Sequence, residues 1–463
     1  MKLTLEQVLG ATGGRVLGGT PPGNPVFTGV ATDTRTLQPG SLFVALKGPR
    51  FDGHDYLATA AAAGAAGVLV HREVSAQGLP AVRVADTLVA LGQLGRWVRR
   101  TLGPRVLAVT GSVGKTTTKE IAAAVLGALG MPALVTPGNW NNRVGLPLTL
   151  LGATGEEQVA VLELGISEVG EMSHLTSICE PDVALITAVA ECHTEGLGSL
   201  EGVATEKRSV QAGLRAGGAL VVPVGEPLLN RPSEKPGCNK ITFGWDPRAD
   251  VVADGWQARG EEGSMFRLDG VPVQLGLPGR HNADNAVAAL AGLDALGVPW
   301  RDGVGALASL RPSPLRGEVR RVAGDIRLLV DCYNANPRAV EASLEVFAGL
   351  AGAARKIAVL GEMRELGRGA EEGHNRVGRA AARAGVEQLH LLGRHTAWVR
   401  DAAVAAGVSA GSIWIYDDRE ALVVSLLRRL RPGDWVLVKG SRALGLEAVV
   451  DAVAGHSERA AMG

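Results

Sequence analysis

Aromatic side chains are scarce: Phe, Trp and Tyr together make up 4% of the 463 residues. The apolar volume of any core must come from Ala, Val and Leu. At 46% hydrophobic and 20% charged residues, a buried globular core is within reach. Excess charge of either sign is also missing. Lys plus Arg and Asp plus Glu number 47 each, so no net field draws the chain to nucleic acid or anionic lipid. Pairs such as Arg320-Arg321 and Arg428-Arg429 read as solvated faces. The four cysteines, Cys179, Cys192, Cys238 and Cys332, never form C-x-x-C. That excludes a zinc ribbon or disulfide frame and fits reduced thiols in the cytoplasm. No apolar run is long enough to cross a bilayer; the longest, from Leu57 to Val70, is Ala-rich and interrupted by Gly. The first ten residues carry Glu6 and no apolar stretch, so no signal peptide is expected and a soluble cytoplasmic enzyme is the default. Internal repeats are lacking as well.

What is present is a phosphate cradle. The apolar run Val106-Leu107-Ala108-Val109 leads into Thr110-Gly111-Ser112-Val113-Gly114-Lys115-Thr116-Thr117, and a helical pattern follows from Lys119. A strand, a Gly-rich turn and a helix N-terminus in that order aim backbone N–H groups and a positive helix end at an anion. Lys115 adds a full charge, and Thr116 can ligate Mg²⁺. The general pattern places its first Gly five positions before Gly114, where Val109 stands; Gly111, three before, takes its place.

The length fits about three domains. Residues 1–103 read as a small α/β unit, with a strand at 41–46, a helix at 58–66, a strand at 67–70 and a helix at 86–100. Residues 104–312 alternate strands (106–110, 159–162, 183–186, 219–222) with helices, the mark of a doubly wound, mostly parallel sheet whose functional loops lie at strand C-termini. Within 239–277, Gly and Asp turns separate short alternating runs, which predicts antiparallel hairpins. A helix is expected from Asn282 to Leu296. Arg311-Pro312-Ser313-Pro314 is the expected linker. The alternation restarts over 313–463, with strands at 328–331, 356–360, 388–392, 412–416 and 435–438, and a helix N-capped by Asn336 with Pro337 at its first position.

Candidate site residues lie at the strand ends. Glu163 closes one strand on the same rim as the phosphate loop and can share a cation with Thr116. His193, just past the 183–187 run, becomes a candidate ligand for a second cation. Lys207 reads as an ordinary solvated helix residue. Asn282 and Asn285 share a helix face, and an Asn offers the donor and acceptor an adenine edge requires; capping would account for Asn282 but not for Asn285. Asp331-Cys332-Tyr333-Asn334-Ala335-Asn336-Pro337 crowds polar groups at a strand end, and Lys439-Gly440-Ser441-Arg442 follows the last strand and could hold an anion.

In this order, these residues resemble the Mur ligases. The resemblance also draws on Gly138-Asn139-Trp140-Asn141-Asn142, Glu163-Leu164-Gly165, Gly198-Ser199 and His281-Asn282-Ala283-Asp284-Asn285, and it spans nearly the whole chain. Thr32-Asp33-Thr34-Arg35, Leu42–Gly48, Arg50-Phe51-Asp52-Gly53-His54 and Asp331–Pro337 are together similar to the branch that adds D-alanyl-D-alanine to UDP-N-acetylmuramoyl-tripeptide. The resemblance implies an α/β protein of three domains: a UDP-sugar domain, a central ATPase and a C-terminal Rossmann-like domain. It implies ATP, two Mg²⁺, a carbamylated Lys207 that shares the second Mg²⁺ with His193, and a monomer. Gly111 to Thr117, Asn285, Arg316 and Asp331 would hold the nucleotide, and Lys115, His193 and Lys207 would serve catalysis. Thr32, Asp33, Thr34 and Arg35 would contact the uridine diphosphate, Asn139 and Asn142 the sugar-peptide. Lys439 and Ser441, with Asn334 and Asn336 in the crevice, would meet substrate. Two departures stand out: Val222 to Pro227 replaces an Asn-x-Asp stretch, and Glu362 stands where Asp is common. A folylpolyglutamate synthase-like enzyme, a sister ligase adding the third amino acid, and a non-catalytic nucleotide switch remain as alternatives at this point.

Overall fold

The computed structural model describes residues 2–18, 23–76, 78–231 and 235–462. Among them are three principal sheets, each mostly parallel and flanked by helices. The first has the strands Arg15–Leu17, Ala81–Arg83, Gly67–Val70, Leu42–Val44 and Val30–Ala31 in spatial order, with only the Arg15–Leu17 edge antiparallel. The central sheet has nine strands. Its parallel core runs Ala133–Val135, Val159–Glu163, Arg105–Thr110, Val183–Ile186, Ala219–Pro223 and Asn239–Gly244. The third has six strands, with Glu318–Val322 as its antiparallel edge. Parallel strands are covered on both faces, so their sequences are continuously apolar; Val159–Glu163 and Trp435–Lys439 are buried throughout.

The predicted hairpins are corrected in part. Asn239–Gly244 runs parallel to Ala219–Pro223, and Val251–Ala258 pairs parallel with Asn239–Gly244 at its start and antiparallel with Ser264–Leu268, which in turn pairs antiparallel with Val271–Leu275. Short alternating runs say which face is buried but not which way the neighbour runs. The helix expected at 58–66 is Leu57–Ala62, preceded by a 3₁₀ turn, because Gly64 takes a positive φ and ends it. The phosphate-loop helix starts at Lys115, four residues earlier than its apolar pattern shows. The helix expected at Asn282 starts at Arg280 after Gly279, so Asn282 lies inside it and caps nothing. Asn336 does N-cap Pro337–Ala351, accepting from Ala339 N.

The helix Thr87–Leu102 joins the first unit to the central one. Gly95 packs on Pro147, where a Cβ would sit 2.9 Å from Pro147 Cα. Arg99, buried, donates to Cys179 O and Glu180 O and pairs with Asp182 at 3.0 Å. These contacts close the C-terminal end of the helix Glu171–Cys179, whose last carbonyls need donors.

Candidate active site

Strand register builds the central rim. Glu163 lies opposite Val109 and Ile186 opposite Thr110, so the phosphate loop, Glu163 and the 187–193 loop leave the sheet at one level. Two glycines make the cradle possible. Gly114 has φ 84, and a Cβ there would stand 2.0 Å from Asn285 Oδ1; at Gly111 it would stand 1.9 Å from Thr187 Oγ1. The loop is therefore pressed onto both neighbours with no room for a side chain. The first N–H groups of the helix Lys115–Ala128 have no intrahelical partner. Lys115 Nζ folds back onto Gly111 O at 2.8 Å. Ser112 anchors the loop. Its N–H donates to Ala188 O, and its hydroxyl donates to Ala190 O and accepts from Ala190 N, so it ties the loop to the next strand's exit.

Thr116 Oγ1 donates to Glu163 Oε2 at 2.8 Å, and both residues are buried. Asn141 Nδ2 holds the other carboxylate oxygen at 2.7 Å. Asn141, between the expected Asn139 and Asn142, is thus the asparagine of Gly138–Asn142 that meets the carboxylate. Asn139 is exposed, whereas Asn142 Oδ1 accepts from Val144 N and Gly145 N and so starts the next helix.

Lys207 departs furthest from the sequence reading. It is 2% exposed rather than solvated, and among the described residues its Nζ has no hydrogen-bond partner. Burial, and secondarily the charge of Lys115, lower its pKa from 10.5 to about 8. His193 lies in the same electrostatic neighbourhood: burial lowers its pKa, Glu365 opposes this, and Lys115 and Lys207 add to the lowering. Its backbone is left-handed at φ 53, and its Nδ1 is hydrogen-bonded to Glu365 Oε2, a residue of the third unit. Glu365 stands three residues after Glu362, and its place near His193 follows from the docking of the third unit rather than from any local pattern. Thr194 Oγ1 donates to Leu366 O, Arg338 donates to Val189 O, and Arg376 pairs with Glu191. The third unit thus docks on the loop that carries His193. No three His, Cys, Asp or Glu side chains form a metal cluster among the described residues; the expected sets include a Thr and a Lys.

In the third unit, the Arg316 guanidinium lies 3.9 Å from the centre of the Tyr333 ring. Lys439, expected to face substrate, is 3% exposed and places its ammonium on Asp331 Oδ2 (2.6 Å), Asp331 O (3.3 Å) and Asn334 O (3.2 Å). Its three donors are committed. Ser343 closes on the same carboxylate. Ser441 Oγ accepts from Arg364 N, and Asn334 Oδ1 accepts from Ala335 N. Burial lowers the pKa of His281, and Asp331 and Asp284 oppose this while Lys439 adds to it. On the first sheet, Thr32 to Arg35 follow the strand Val30–Ala31. Arg35 grips both oxygens of Asp33 and pulls its pKa to about 2.

A phosphate loop beside a carboxylate, with a buried lysine and a docked third unit, defines a nucleotide-dependent enzyme of the ligase type. Residues 109–293 match the Mur ligase middle domain, 315–442 the Mur ligase glutamate ligase domain, and 26–99 the catalytic domain of the Mur ligase family. The chain belongs to the Mur ligase family. It is 37% identical over 463 residues to the UDP-N-acetylmuramoyl-tripeptide--D-alanyl-D-alanine ligase of Escherichia coli K12, with 98% of each chain covered. It is 35% identical to the ligase of the same name from Bacillus subtilis, covering 92% of this chain and 93% of that one. The fold superimposes on MurF from Acinetobacter baumannii with a TM-score of 0.89 at 30% identity, covering 98% and 99% of the two chains. MurF from Thermotoga maritima in complex with ADP gives 0.80 at 29%, covering 93% and 98%.

Proposed function

We infer that this chain is an ATP-dependent ligase that joins D-alanyl-D-alanine to UDP-N-acetylmuramoyl-tripeptide, releasing ADP and phosphate. Its similarity to ligases of that name over nearly their whole length supports the substrates. The observation that carries the chemistry is the Thr116–Glu163 pair, 2.8 Å apart beside Lys115. The sugar-peptide's terminal carboxylate attacks the γ-phosphorus of ATP in line and expels ADP. The acyl phosphate then takes the amine of D-alanyl-D-alanine at its carbonyl carbon. The tetrahedral adduct expels phosphate and the amine gives up a proton, leaving an amide.

Each unit has a part. Residues 1–103 would hold the UDP-sugar through Thr32, Asp33, Thr34 and Arg35. Residues 104–312 would bind ATP through the loop amides, Lys115 and Asn285. Residues 313–463 would close over both, with Arg316 and Asp331 on the adenosine and the Asn334–Asn336 and Lys439–Ser441 segments framing the acceptor. Lys115 neutralises charge on the transferring phosphoryl group. Docking of the third unit excludes water, which would otherwise hydrolyse the acyl phosphate.

The donor chemistry fits Mg²⁺ at Thr116 and Glu163, two hard oxygen ligands already in contact. At His193 and Lys207 it fits only after Lys207 becomes a carbamate, because an ammonium has no lone pair to give. A lysine buried without a partner and lowered to about 8 supplies the neutral amine that such a modification needs. Bound at these positions, Mg²⁺ would offset phosphate charge. The enzyme would act as a cytoplasmic monomer. The test is isotope tracing: oxygen-18 placed in the donor carboxylate should appear in orthophosphate, and only when both substrates are present. Its absence from orthophosphate would remove the acyl phosphate from the scheme.

A further inference from the structure

One buried cation of the phosphate-loop helix takes no part in the chemistry above. Lys119 stands three residues after Thr116, so both side chains leave the same helix face. It is 0% exposed, one of the largest fully buried side chains. An ammonium withdrawn from water is costly unless its donors are met. Here Nζ donates to Thr136 O at 2.7 Å, lies 3.5 Å from Gly138 O, and pairs with Glu120 Oε1 at 2.9 Å.

Both carbonyls belong to segment 136–142, which connects the strand Ala133–Val135 to the helix Gly145–Leu151. That segment holds Glu163. Thr136 Oγ1 accepts from Glu163 N at 2.9 Å, Asn141 Nδ2 donates to Glu163 Oε1 at 2.7 Å, and Asn141 O accepts from Gly165 N at 2.8 Å. The fit is close: a Cβ on Gly165 would lie 2.7 Å from Asn141 Oδ1. One helix face therefore reaches Glu163 twice. Thr116 touches the carboxylate directly; Lys119 reaches it through segment 136–142 and Asn141. An apolar side chain could fill the same volume, but only a donor placed among carbonyls fixes where the segment lies.

We propose that Lys119 is a positioning residue for the ligase reaction. Its ammonium locks segment 136–142 to the phosphate-loop helix, so that Asn141 occupies Oε1 of Glu163 and turns Oε2 to Thr116. The same lock sets the loop from which Asn139 faces the sugar-peptide. The catalytic part of this inference rests on the functional reading given above; the structural part does not.

Lys119→Met keeps length and volume and removes the charge. Hydrogen–deuterium exchange of the substrate-free enzyme should show segment 136–145 exchanging at least about tenfold faster, while the strand Arg105–Thr110 keeps its protection. kcat should fall about 10- to 100-fold, the size expected when a reacting geometry shifts by about an ångström, with KM for D-alanyl-D-alanine unchanged. Asn141→Ala should lower kcat similarly. The double variant should lose little more than either single one, because both act through one carboxylate. Unchanged exchange over 136–145, or losses that multiply in the double variant, would overturn the proposal. Should Lys119→Met not fold, Lys119→Leu, which also fills the site without a donor, takes its place; parental exchange and kcat there would likewise overturn it. Faster exchange in a protein with no ligase activity toward these substrates would uphold the positioning role and reject the functional reading instead.

Discussion

The rims of the central and third sheets present similar residues at the same place in similar architectures, yet their lysines are in opposite states. At the central rim the polar groups are paired only in part. Thr116 and Asn141 hold Glu163 and Ser112 ties down the loop, whereas Lys207 has no hydrogen-bond partner among the described residues and Lys115 touches a single carbonyl. At the third rim they saturate one another. Lys439 is held by Asp331 and Asn334, Ser343 closes on Asp331, Asn336 caps a helix, and Ser441 takes the N–H of Arg364. A lysine beside a strand end is thus no evidence of a reaction site by itself. What separates the two rims is whether the fold has already satisfied the donors.

Substitutions can break this contrast. Lys115→Ala should have the largest effect, cutting ADP formation about 1,000-fold or more while the fold persists, read from coupled-assay rates and melting curves. Lys207→Ala should cost about 100-fold in kcat and recover in part with added short carboxylic acids; failure of that rescue would speak against a carbamate. Lys439→Met should act in the other way. It leaves Asp331 without its cation in a mostly buried site, which should cost about 3 kcal/mol of stability in denaturant unfolding. KM for ATP should rise more than kcat falls, and carboxylic acids should give no rescue. Asn336→Ala should be mildest, losing about 1 kcal/mol as a removed cap with KM values unchanged. A large KM effect would show that this cap residue also meets substrate.

The same distinction explains what the sequence made legible. The strands of the parallel sheets show as apolar runs bounded by Gly and polar residues, and Asn336-Pro337 marks its helix start through backbone chemistry alone. The phosphate loop is legible because its glycines answer local demands: φ 84 at Gly114 and a close contact at Gly111. Lys207 is not, because nothing in Ala204-Thr205-Glu206-Lys207 tells a solvated helix face from a buried one until other elements cover it. Lys119 and Glu365 are hidden for the same reason: their partners are Thr136 and His193, 17 and 172 residues away in the chain. The edge strand Glu318–Val322 escapes notice because its Glu and Arg residues look like surface, which one side of an edge strand is.

The stretch from Thr187 to Glu195 is held from two sides. Thr187 and Ala190 are bonded to the phosphate loop, while Val189, Glu191 and His193 are bonded to Arg338, Arg376 and Glu365 of the third unit. The phosphate loop and the third unit therefore grip one short stretch of chain in common. If the third unit moves when nucleotide fills the cradle, this stretch is where the two movements meet, with His193 among its held residues.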